Sequence, residues 1–264
     1  MAAVFQDNIL AGKVAYITGG GSGINLGIAE VLAAQGATVV LVGRTLEKVE
    51  GAAAEIVARG GSATGLSADV RDYAAVAATL ATTHERYGEI DIVIAGAAGN
   101  FPAAATGMSA NGFKAVVDID LNGTFNTCRA AYEYLRKPGA SVIAITAGQA
   151  FQAAAYQAHV CSAKAGVDML MRVLAIEWGP QGVRVNSIAP GPIDDTEGMR
   201  RLAPTEEMRE TLTKSVPLRR YGTKDDVAQL ALFLCSDAAT YITGASMVCD
   251  GGQSLLGFGS WSMS

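Results

Sequence analysis

The chain has few of the residues that build metal sites and disulfide frameworks. It contains only two histidines, His84 and His159, and four cysteines that share no close spacing. A zinc site or a disulfide scaffold needs clustered cysteine or histidine side chains. The sequence therefore predicts neither a metal site nor a disulfide, and unpaired cysteines favour a reducing, cytoplasmic setting.

Long apolar runs and clusters of positive charge are also missing. No segment reaches the roughly 18 unbroken apolar residues of a membrane span, and residues 1–10 lack the apolar stretch of a signal peptide. The net charge of -5 and the isoelectric point near 5.1 argue against a nucleic-acid partner. The final Ser-Met-Ser does not match the peroxisomal signal Ser-Lys-Leu. We therefore expect a soluble, cytoplasmic protein without membrane or nucleic-acid partners.

What the chain does have is a large apolar fraction, distributed over short alternating segments. Half of its 264 residues are hydrophobic, enough for one large α/β domain spanning residues 1–264. Seven β-rich runs are predicted, at residues 13–18, 38–42, 63–69, 90–95, 141–146, 183–188 and 246–249. Helical patterns cover residues 23–35, 46–58, 74–87, 113–136, 162–178 and 224–234.

The alternation of these patterns predicts a doubly wound α/β fold with a seven-stranded parallel sheet. Residues 39–42 are continuously apolar, which indicates a strand covered on both faces. Residues 190–217 are rich in glycine, proline and charge between the sixth strand and the last helix. We expect this segment to form a lid over a cleft.

The glycine-rich segment after the first strand is typical of a dinucleotide site. Its residues are Gly19, Gly21, Ser22, Gly23 and Ile24. Glycines there let the backbone approach a pyrophosphate, whose charge then faces the first amides of the next helix. A third glycine is expected two residues after Gly23, but Asn25 occupies that position and glycine returns as Gly27. We therefore expect altered helix packing near the phosphate.

Arg44 follows the second strand, where an NAD-binding protein usually carries an acidic residue. A guanidinium group suits a ribose phosphate and stacks on adenine. The position therefore favours NADP over NAD, and an ordinary exposed arginine at a helix start is the alternative.

Several blocks in the same order resemble one family over nearly the whole chain. They are the glycine loop, Asp69-Val70, Asn122-Gly123, Lys164 and Pro190-Gly191-Pro192-Ile193. Together they resemble the short-chain dehydrogenase/reductase family, whose fold is a single Rossmann domain. The resemblance implies that Asp69, Val70, Lys164, Pro190, Gly191, Pro192 and Ile193 contact the cofactor.

A narrower resemblance is to the 2,4-dienoyl-CoA reductases, especially the peroxisomal kind. The segments that carry it are 97–101, 118–125, 162–165, 177–180 and 190–193. It implies an NADPH-dependent reduction of 2,4-dienoyl-CoA thioesters to 3-enoyl-CoA, a step in the β-oxidation of unsaturated fatty acids.

Two catalytic groups of the ketone-reducing members are absent together. Val160 stands four residues before Lys164, where those members have tyrosine, and Ala147 takes the place of their serine. Ketone reduction forms an alkoxide that needs a proton at once, whereas conjugate hydride addition forms a delocalised dienolate that is protonated on carbon. The absences therefore argue against simple ketone reduction.

The resemblance also assigns roles to the residues that remain. It implies that Lys164 holds the nicotinamide ribose, that Asp120 helps to protonate the dienolate, and that Asn122 supports the thioester oxygen. The tyrosine of the mitochondrial branch falls on Gln149. An ionised Asp120 would repel an oxyanion, so we expect the proton to pass through a water. A capping or surface role stays open for Asp118 and Asp120.

Candidate contacts for an acyl-CoA substrate come from the same resemblance. Arg71 and Arg201 match residues that contact substrate, and coenzyme A phosphates need such basic side chains. Phe101 is expected against the acyl chain or thioester, with Ser109 and Asn111 nearby. Arginines on ordinary exposed helix faces are the alternative.

His159 and Tyr156 lie close to Val160 in the sequence, so either is a candidate replacement acid. We favour a packing or substrate-lining role for both. Three readings of the function stay open: a dienoyl-CoA reductase, another NADP-dependent oxidoreductase acting on a different acyl thioester or carbonyl compound, and a catalytically silent NADP-binding protein. The resemblance implies a homotetramer built through helices 113–136 and 162–178 and the C-terminal strand region.

Overall fold

The computed structural model describes residues 5–196, 199–200, 203 and 205–255. Seven strands in this part of the chain form one sheet: β1 Val14–Thr18, β2 Thr38–Gly43, β3 Ser62–Ser67, β4 Ile92–Ala95, β5 Ser141–Ile145, β6 Arg184–Pro190 and β7 Ser246–Cys249. Their order is β3-β2-β1-β4-β5-β6-β7, and all neighbouring pairs are parallel. The predicted doubly wound Rossmann sheet is confirmed, with the strand order reversing between β1 and β4.

Helices of the described residues cover both faces of this sheet. They are α1 Gly23–Ala34, α2 Leu46–Ala58, α3 Tyr73–Tyr87, α4 Ala110–Val117, α5 Gly123–Ala131, α6 Ala158–Trp178, α7 Glu206–Ser215 and α8 Lys224–Cys235. One core joins α1, α2 and α8 to the sheet, and the other joins α3, α5 and α6. Ile17 of β1 faces the first core and Tyr16 faces the second. Strands are therefore apolar at successive positions because both of their faces are buried.

The helix predicted for residues 113–136 is wrong as a continuous element. The chain enters α4 three residues earlier, where the Ser109 side chain accepts a hydrogen bond from the Gly112 N–H and so caps the helix. A π-helical turn, Asp118–Asn122, then separates α4 from α5. Periodicity alone did not reveal this turn, because apolar residues continue on both sides of it.

Helix α7 was not predicted, and its sequence explains why. It has no buried residue, so it lacks the apolar stripe by which helices are recognised. It lies within the segment 190–217, and Leu212 and Ser215 at its end border the cleft described below. The lid function of this segment stays a prediction. None of the described helices combines the length and the apolar character required to cross a bilayer.

Candidate active site

A cleft of about 1100 Å³ lies across the carboxyl ends of the strands. Gly19 after β1, Gly96 after β4, Thr146 after β5 and Pro190 at the end of β6 all line it. Ligands of doubly wound sheets bind at this edge, where the strand order reverses. The volume is large enough for a dinucleotide together with part of a substrate.

The glycine loop is shaped to receive a phosphate. Gly19 and Gly23 have φ values of +69° and +61°, which only glycine adopts without strain. Ser22 is the N-cap of α1, but its side chain makes no capping hydrogen bond. The first N–H groups of α1 therefore have no side-chain partner at the cleft, and such groups bind anions.

Gly27, the displaced glycine of the fingerprint, serves helix packing. A Cβ atom on Gly27 would lie 2.7 Å from the Cβ atom of Lys224, at the start of α8. Glycine at this position therefore allows α1 and α8 to approach closely. The altered helix packing expected near the phosphate stays a prediction.

Positive charge collects at the β2 end of the cleft. Arg44 and Lys48 both line it and are exposed. A Cβ atom on Gly21 would lie 3.3 Å from the Lys48 Cγ atom, so the Lys48 side chain lies over the glycine loop. Lys48 was missed at the sequence level, although its position four residues after Arg44, in the first turn of α2, could have indicated it.

Asp69 borders the same end of the cleft and forms an ion pair with Arg71. The Arg71 Nη2 atom lies 2.5 Å from one carboxylate oxygen of Asp69, and Nε lies 3.0 Å from the other. The hydrogen bond from Arg71 holds the pKa of Asp69 below its usual range, and the charge of Arg44 adds to this effect. Arg71 itself does not line the cleft.

The cleft also contains a buried ion pair, formed by Lys164 and Asp120. The Lys164 Nζ atom lies 3.1 Å from Oδ2 of Asp120, and these side chains are 8% and 1% exposed. Lys164 also donates a hydrogen bond to the Ile145 carbonyl oxygen at 3.0 Å. Oδ1 of Asp120 accepts a hydrogen bond from the Gly99 N–H at 2.7 Å. These contacts fix both charged groups at the ends of β4 and β5.

The π-helical turn explains why Asp120 points inward while Asp118 does not. An inserted residue at Asp118–Asn122 shifts the helical register, as π-turns often do at functional sites. Gly123 closes the turn, and a Cβ atom there would lie 2.6 Å from the Val70 Cγ2 atom. Asp118 instead pairs with Lys114, which lowers its pKa below the usual range.

No tyrosine or histidine is among the described residues that line this cleft. Val160 and Ala147 do line it, which agrees with the missing tyrosine and serine. His159 is fully buried outside the lining and packs edge-on against Phe101, with ring centroids 4.5 Å apart. Tyr156 is 63% exposed and also outside the lining. Asp120 is therefore the acidic group nearest Lys164.

The structure brings together every residue that was predicted to bind the cofactor. Gly19, Gly21, Ser22, Gly23, Ile24, Arg44, Asp69, Val70, Lys164, Pro190, Gly191, Pro192 and Ile193 all line the one cleft, as do Asp120 and Gln149. Further lining residues that the sequence did not indicate include Asn100, Thr146, Gln152 and Asp250. Residues from all seven strand ends thus contribute to a single site.

The predicted catalytic role of Asn122 does not fit its position. Its side chain is exposed, is not part of the cleft lining and donates a hydrogen bond to Asp118 at 3.0 Å. Within the same π-turn, Asp120 is the residue that contacts Lys164. The family resemblance assigned this role through a matching sequence segment, and such a match gives no information about the turn.

Four of the predicted substrate contacts, Arg71, Phe101, Ser109 and Asn111, are not among the residues that line the cleft. Phe101 packs on His159, Ser109 caps α4, and Asn111 is exposed on α4. Arg71 is occupied by Asp69, and Arg201 lies outside the described residues. None of the four described residues therefore shares the cleft lining with Lys164.

Comparison with known proteins gives a consistent assignment. Residues 19–254 match a family model described as enoyl-(acyl carrier protein) reductase. The chain is similar to a peroxisomal 2,4-dienoyl-CoA reductase of Danio rerio, named as producing (3E)-enoyl-CoA, with 43% identity over 94% of this chain and 84% of the relative. A probable 2,4-dienoyl-CoA reductase of Bacillus subtilis, named as producing (2E)-enoyl-CoA, is 40% identical over 91% of this chain and 96% of the relative.

Solved structures show the same relationship. A short chain dehydrogenase from Bacillus anthracis is 40% identical with a TM-score of 0.82, covering 92% of this chain and 96% of that one. The citronellol catabolism dehydrogenase of Pseudomonas aeruginosa is 34% identical with a TM-score of 0.85, covering 96% and 100%. The glycine loop and the free first turn of α1 fit the nicotinamide dinucleotide that this kinship implies. The chain thus belongs to the short-chain dehydrogenase/reductase family of oxidoreductases.

Proposed function

We propose that this enzyme reduces 2,4-dienoyl-CoA thioesters to 3-enoyl-CoA with NADPH. The observation that carries the proposal is the buried Lys164–Asp120 pair in a cleft with valine and alanine at the positions of the ketone-reducing tyrosine and serine. The relatives named 2,4-dienoyl-CoA reductase support it over a different carbonyl substrate and over a catalytically silent protein.

The preference for NADPH is argued from charge. Arg44 and Lys48 place two cations at the end of the cleft beside Gly21, where the adenosine half of a dinucleotide would extend from the glycine loop. A ribose phosphate suits these cations, whereas an acidic residue in place of Arg44 would select unphosphorylated ribose. The bound cofactor would supply the hydride.

The chemistry follows from the electronic structure of the substrate. Hydride addition at C5 of a 2,4-dienoyl thioester leaves a negative charge delocalised over C4, C2 and the thioester oxygen. Adding a proton at C2 leaves the double bond between C3 and C4, whereas adding it at C4 would give the 2-enoyl product. The ammonium of Lys164 favours this anion electrostatically because both groups would lie in a site largely shielded from water.

Asp120 would assist proton delivery to the substrate indirectly, by positioning Lys164 and a water molecule. It holds the ammonium of Lys164 on one side and is held by the Gly99 N–H on the other. Both carboxylate oxygens of Asp120 already face these two groups. The proton would therefore reach the substrate from a water molecule beside the Lys164–Asp120 pair.

The acyl-CoA would occupy the part of the cleft beyond Lys164. Val160, Met199 and Leu212 give this part an apolar lining suited to a fatty acyl chain. Gln149 lies in the same lining and offers an amide to the thioester.

A homotetramer is the assembly that we propose. Exposed apolar side chains lie on α5, α6 and β7, namely Phe125, Met169, Val173, Ile176 and Val248, with exposures from 42% to 77%. Apolar side chains grouped on neighbouring elements favour contact with another copy of the chain. These are the elements that the family resemblance implies for assembly.

The test is to mix purified protein with NADPH and 2,4-hexadienoyl-CoA and to follow the absorbance of the nicotinamide and of the diene together. The proposal predicts that both signals fall at the same rate. A saturated acyl-CoA and a panel of ketones and alcohols serve as controls. Turnover of a ketone without turnover of the dienoyl thioester would contradict the proposal, as would NADPH binding without any turnover.

A further inference from the structure

Asn25 occupies a position in the first turn of α1 where the dinucleotide fingerprint has glycine. Its side chain is only 9% exposed, and it lines the cleft. A buried amide in a phosphate-binding loop needs partners for two N–H donors and one carbonyl acceptor. The hydrogen-bond partners of these groups show what asparagine does at a position where the fingerprint has glycine.

The amide nitrogen of Asn25 connects the ends of two neighbouring strands. Nδ2 donates a hydrogen bond to the Gly96 carbonyl oxygen at 2.8 Å and lies 3.4 Å from the Gly19 carbonyl oxygen. Gly19 follows β1 and Gly96 follows β4, so the bridge crosses the point where the strand order reverses. Two carbonyl oxygens on one side also fix the orientation of the amide, because a reversed amide would place oxygen against oxygen.

The backbone at residue 96 is adapted to this side chain. A Cβ atom on Gly96 would lie 2.1 Å from Oδ1 and 2.4 Å from Cγ of Asn25. Contacts below 3.0 Å are prohibitive, and Asn25 is held in place by its hydrogen bonds. Asparagine at position 25 therefore requires glycine at position 96, and the two residues form a matched pair.

Oδ1 of Asn25 is left without a hydrogen-bond donor among the described residues, although it is buried. An unsatisfied buried acceptor destabilises a protein, so such an atom in a ligand cleft points to a group that arrives with the ligand. The pyrophosphate of a dinucleotide carries only acceptors and would repel this oxygen. The ribose hydroxyl groups of the dinucleotide, in contrast, are donors that can satisfy Oδ1 of Asn25.

We infer that Oδ1 of Asn25 accepts a hydrogen bond from a ribose hydroxyl of the bound NADPH. This inference rests on the cofactor of the proposed function and deepens it. It makes Asn25 a cofactor-binding residue that replaces the missing glycine, with Gly96 providing the room. The hydroxyl groups of the adenosine ribose and of the nicotinamide ribose can both donate this hydrogen bond. The test therefore distinguishes the two riboses.

The test compares the wild-type protein with the variant Asn25→Gly. Dissociation constants are measured for NADPH and for adenosine 2′,5′-bisphosphate, which carries only the adenosine ribose. Loss of one neutral hydrogen bond predicts a rise of about three- to tenfold in the Kd for NADPH. The same rise for the bisphosphate identifies the adenosine ribose as the donor, and an unchanged value identifies the nicotinamide ribose.

A purely structural role for Asn25 makes a different prediction. It would lower the melting temperature of the cofactor-free variant and leave the Kd for NADPH unchanged, which would overturn the inference. Failure of the wild-type protein to bind NADPH would instead overturn the proposed function. The two failures are therefore distinguishable.

The matched pair is tested with Gly96→Ala, alone and combined with Asn25→Gly. Alone, the added methyl group clashes with Asn25, so we expect a lower melting temperature and weaker NADPH binding. In the double variant the clash is gone, and the melting temperature should return to that of Asn25→Gly. A single Gly96→Ala variant with wild-type stability and Kd would refute the pairing.

Discussion

The substitution Asp120→Asn tests the catalytic role proposed for the Lys164–Asp120 pair. It removes one charge from the pair in which Lys164 Nζ lies 3.1 Å from Oδ2, and both side chains are buried. The substituted amide can still accept the hydrogen bond from the Gly99 N–H, so the local backbone should persist. The ammonium of Lys164 is then left without a counter-charge.

Breaking a buried ion pair from one side costs about 3–5 kcal/mol, and burial of 92% or more leaves little solvent to compensate. A loss of about 3 kcal/mol corresponds to a fall of roughly 6–12 °C in melting temperature for a chain of this size. We also expect a fall of at least about a hundredfold in kcat, or roughly 2.7 kcal/mol in the activation barrier, because proton delivery and the position of Lys164 both suffer.

The assay is the NADPH-dependent reduction of 2,4-hexadienoyl-CoA, measured well below the melting temperature of the variant. The matched control is Asp118→Asn, two residues earlier in the same turn. Asp118 pairs with Lys114 outside the cleft lining, so its substitution should change kcat less than about threefold. A Kd for NADPH shows whether a loss of rate comes from weak cofactor binding.

Near-wild-type turnover of Asp120→Asn would remove this carboxylate from the mechanism. Equal losses in Asp120→Asn and Asp118→Asn would show that the helix, rather than the buried ion pair, is responsible. Either result would refute the reasoning.

Three other substitutions test separate parts of the account. Arg44→Asp should raise the KM for NADPH about tenfold or more and change the KM for NADH only a few-fold, because only NADPH carries the ribose phosphate. Equal changes in the two KM values would contradict the NADPH assignment. Arg220 holds the pKa of Asp226 well below its usual range, so this capping carboxylate of α8 stabilises the fold above about pH 4 and loses that contribution as the pH falls further. Asp226→Asn should therefore lower the free energy of unfolding by about 1 kcal/mol at pH 7, with the difference from wild type shrinking in urea titrations below about pH 4; a difference that grows in acid would be inconsistent. Ile176→Glu, at a side chain that is 77% exposed, should convert the proposed tetramer into smaller species in light scattering without unfolding the chain, and an unchanged mass would exclude α6 from the proposed interface.

The sheet and most of the cofactor cleft followed directly from the sequence. Strands such as β2 are continuously apolar because helices cover both faces, and helix α2 was predicted with its observed ends. The loop from Gly19 to Gly23 follows β1 and opens α1, so its residues could only lie at the carboxyl edge of the sheet. Local patterns suffice for such features.

Features that depend on register or on tertiary contacts could not be predicted. In the π-turn Asp118–Asn122, Asp120 lines the cleft while Asn122 is exposed, and the turn is followed by Gly123, which lies close to Val70 although the two are far apart in the chain. Asn25 was identified as a departure from the fingerprint, but its fit to Gly96 appears only when β1 and β4 are side by side. Helix α7 has no apolar face to reveal it.

The most direct test of the central claim is to follow where each hydrogen goes. NADPH carrying deuterium at the transferable position of the nicotinamide is incubated with the enzyme and 2,4-hexadienoyl-CoA in ordinary water. The account predicts a 3-enoyl-CoA with one deuterium at C5 and a solvent hydrogen at C2, identified by NMR and mass spectrometry. A product without cofactor deuterium would contradict hydride transfer to the dienoyl thioester, and a 2-enoyl product would contradict protonation at C2.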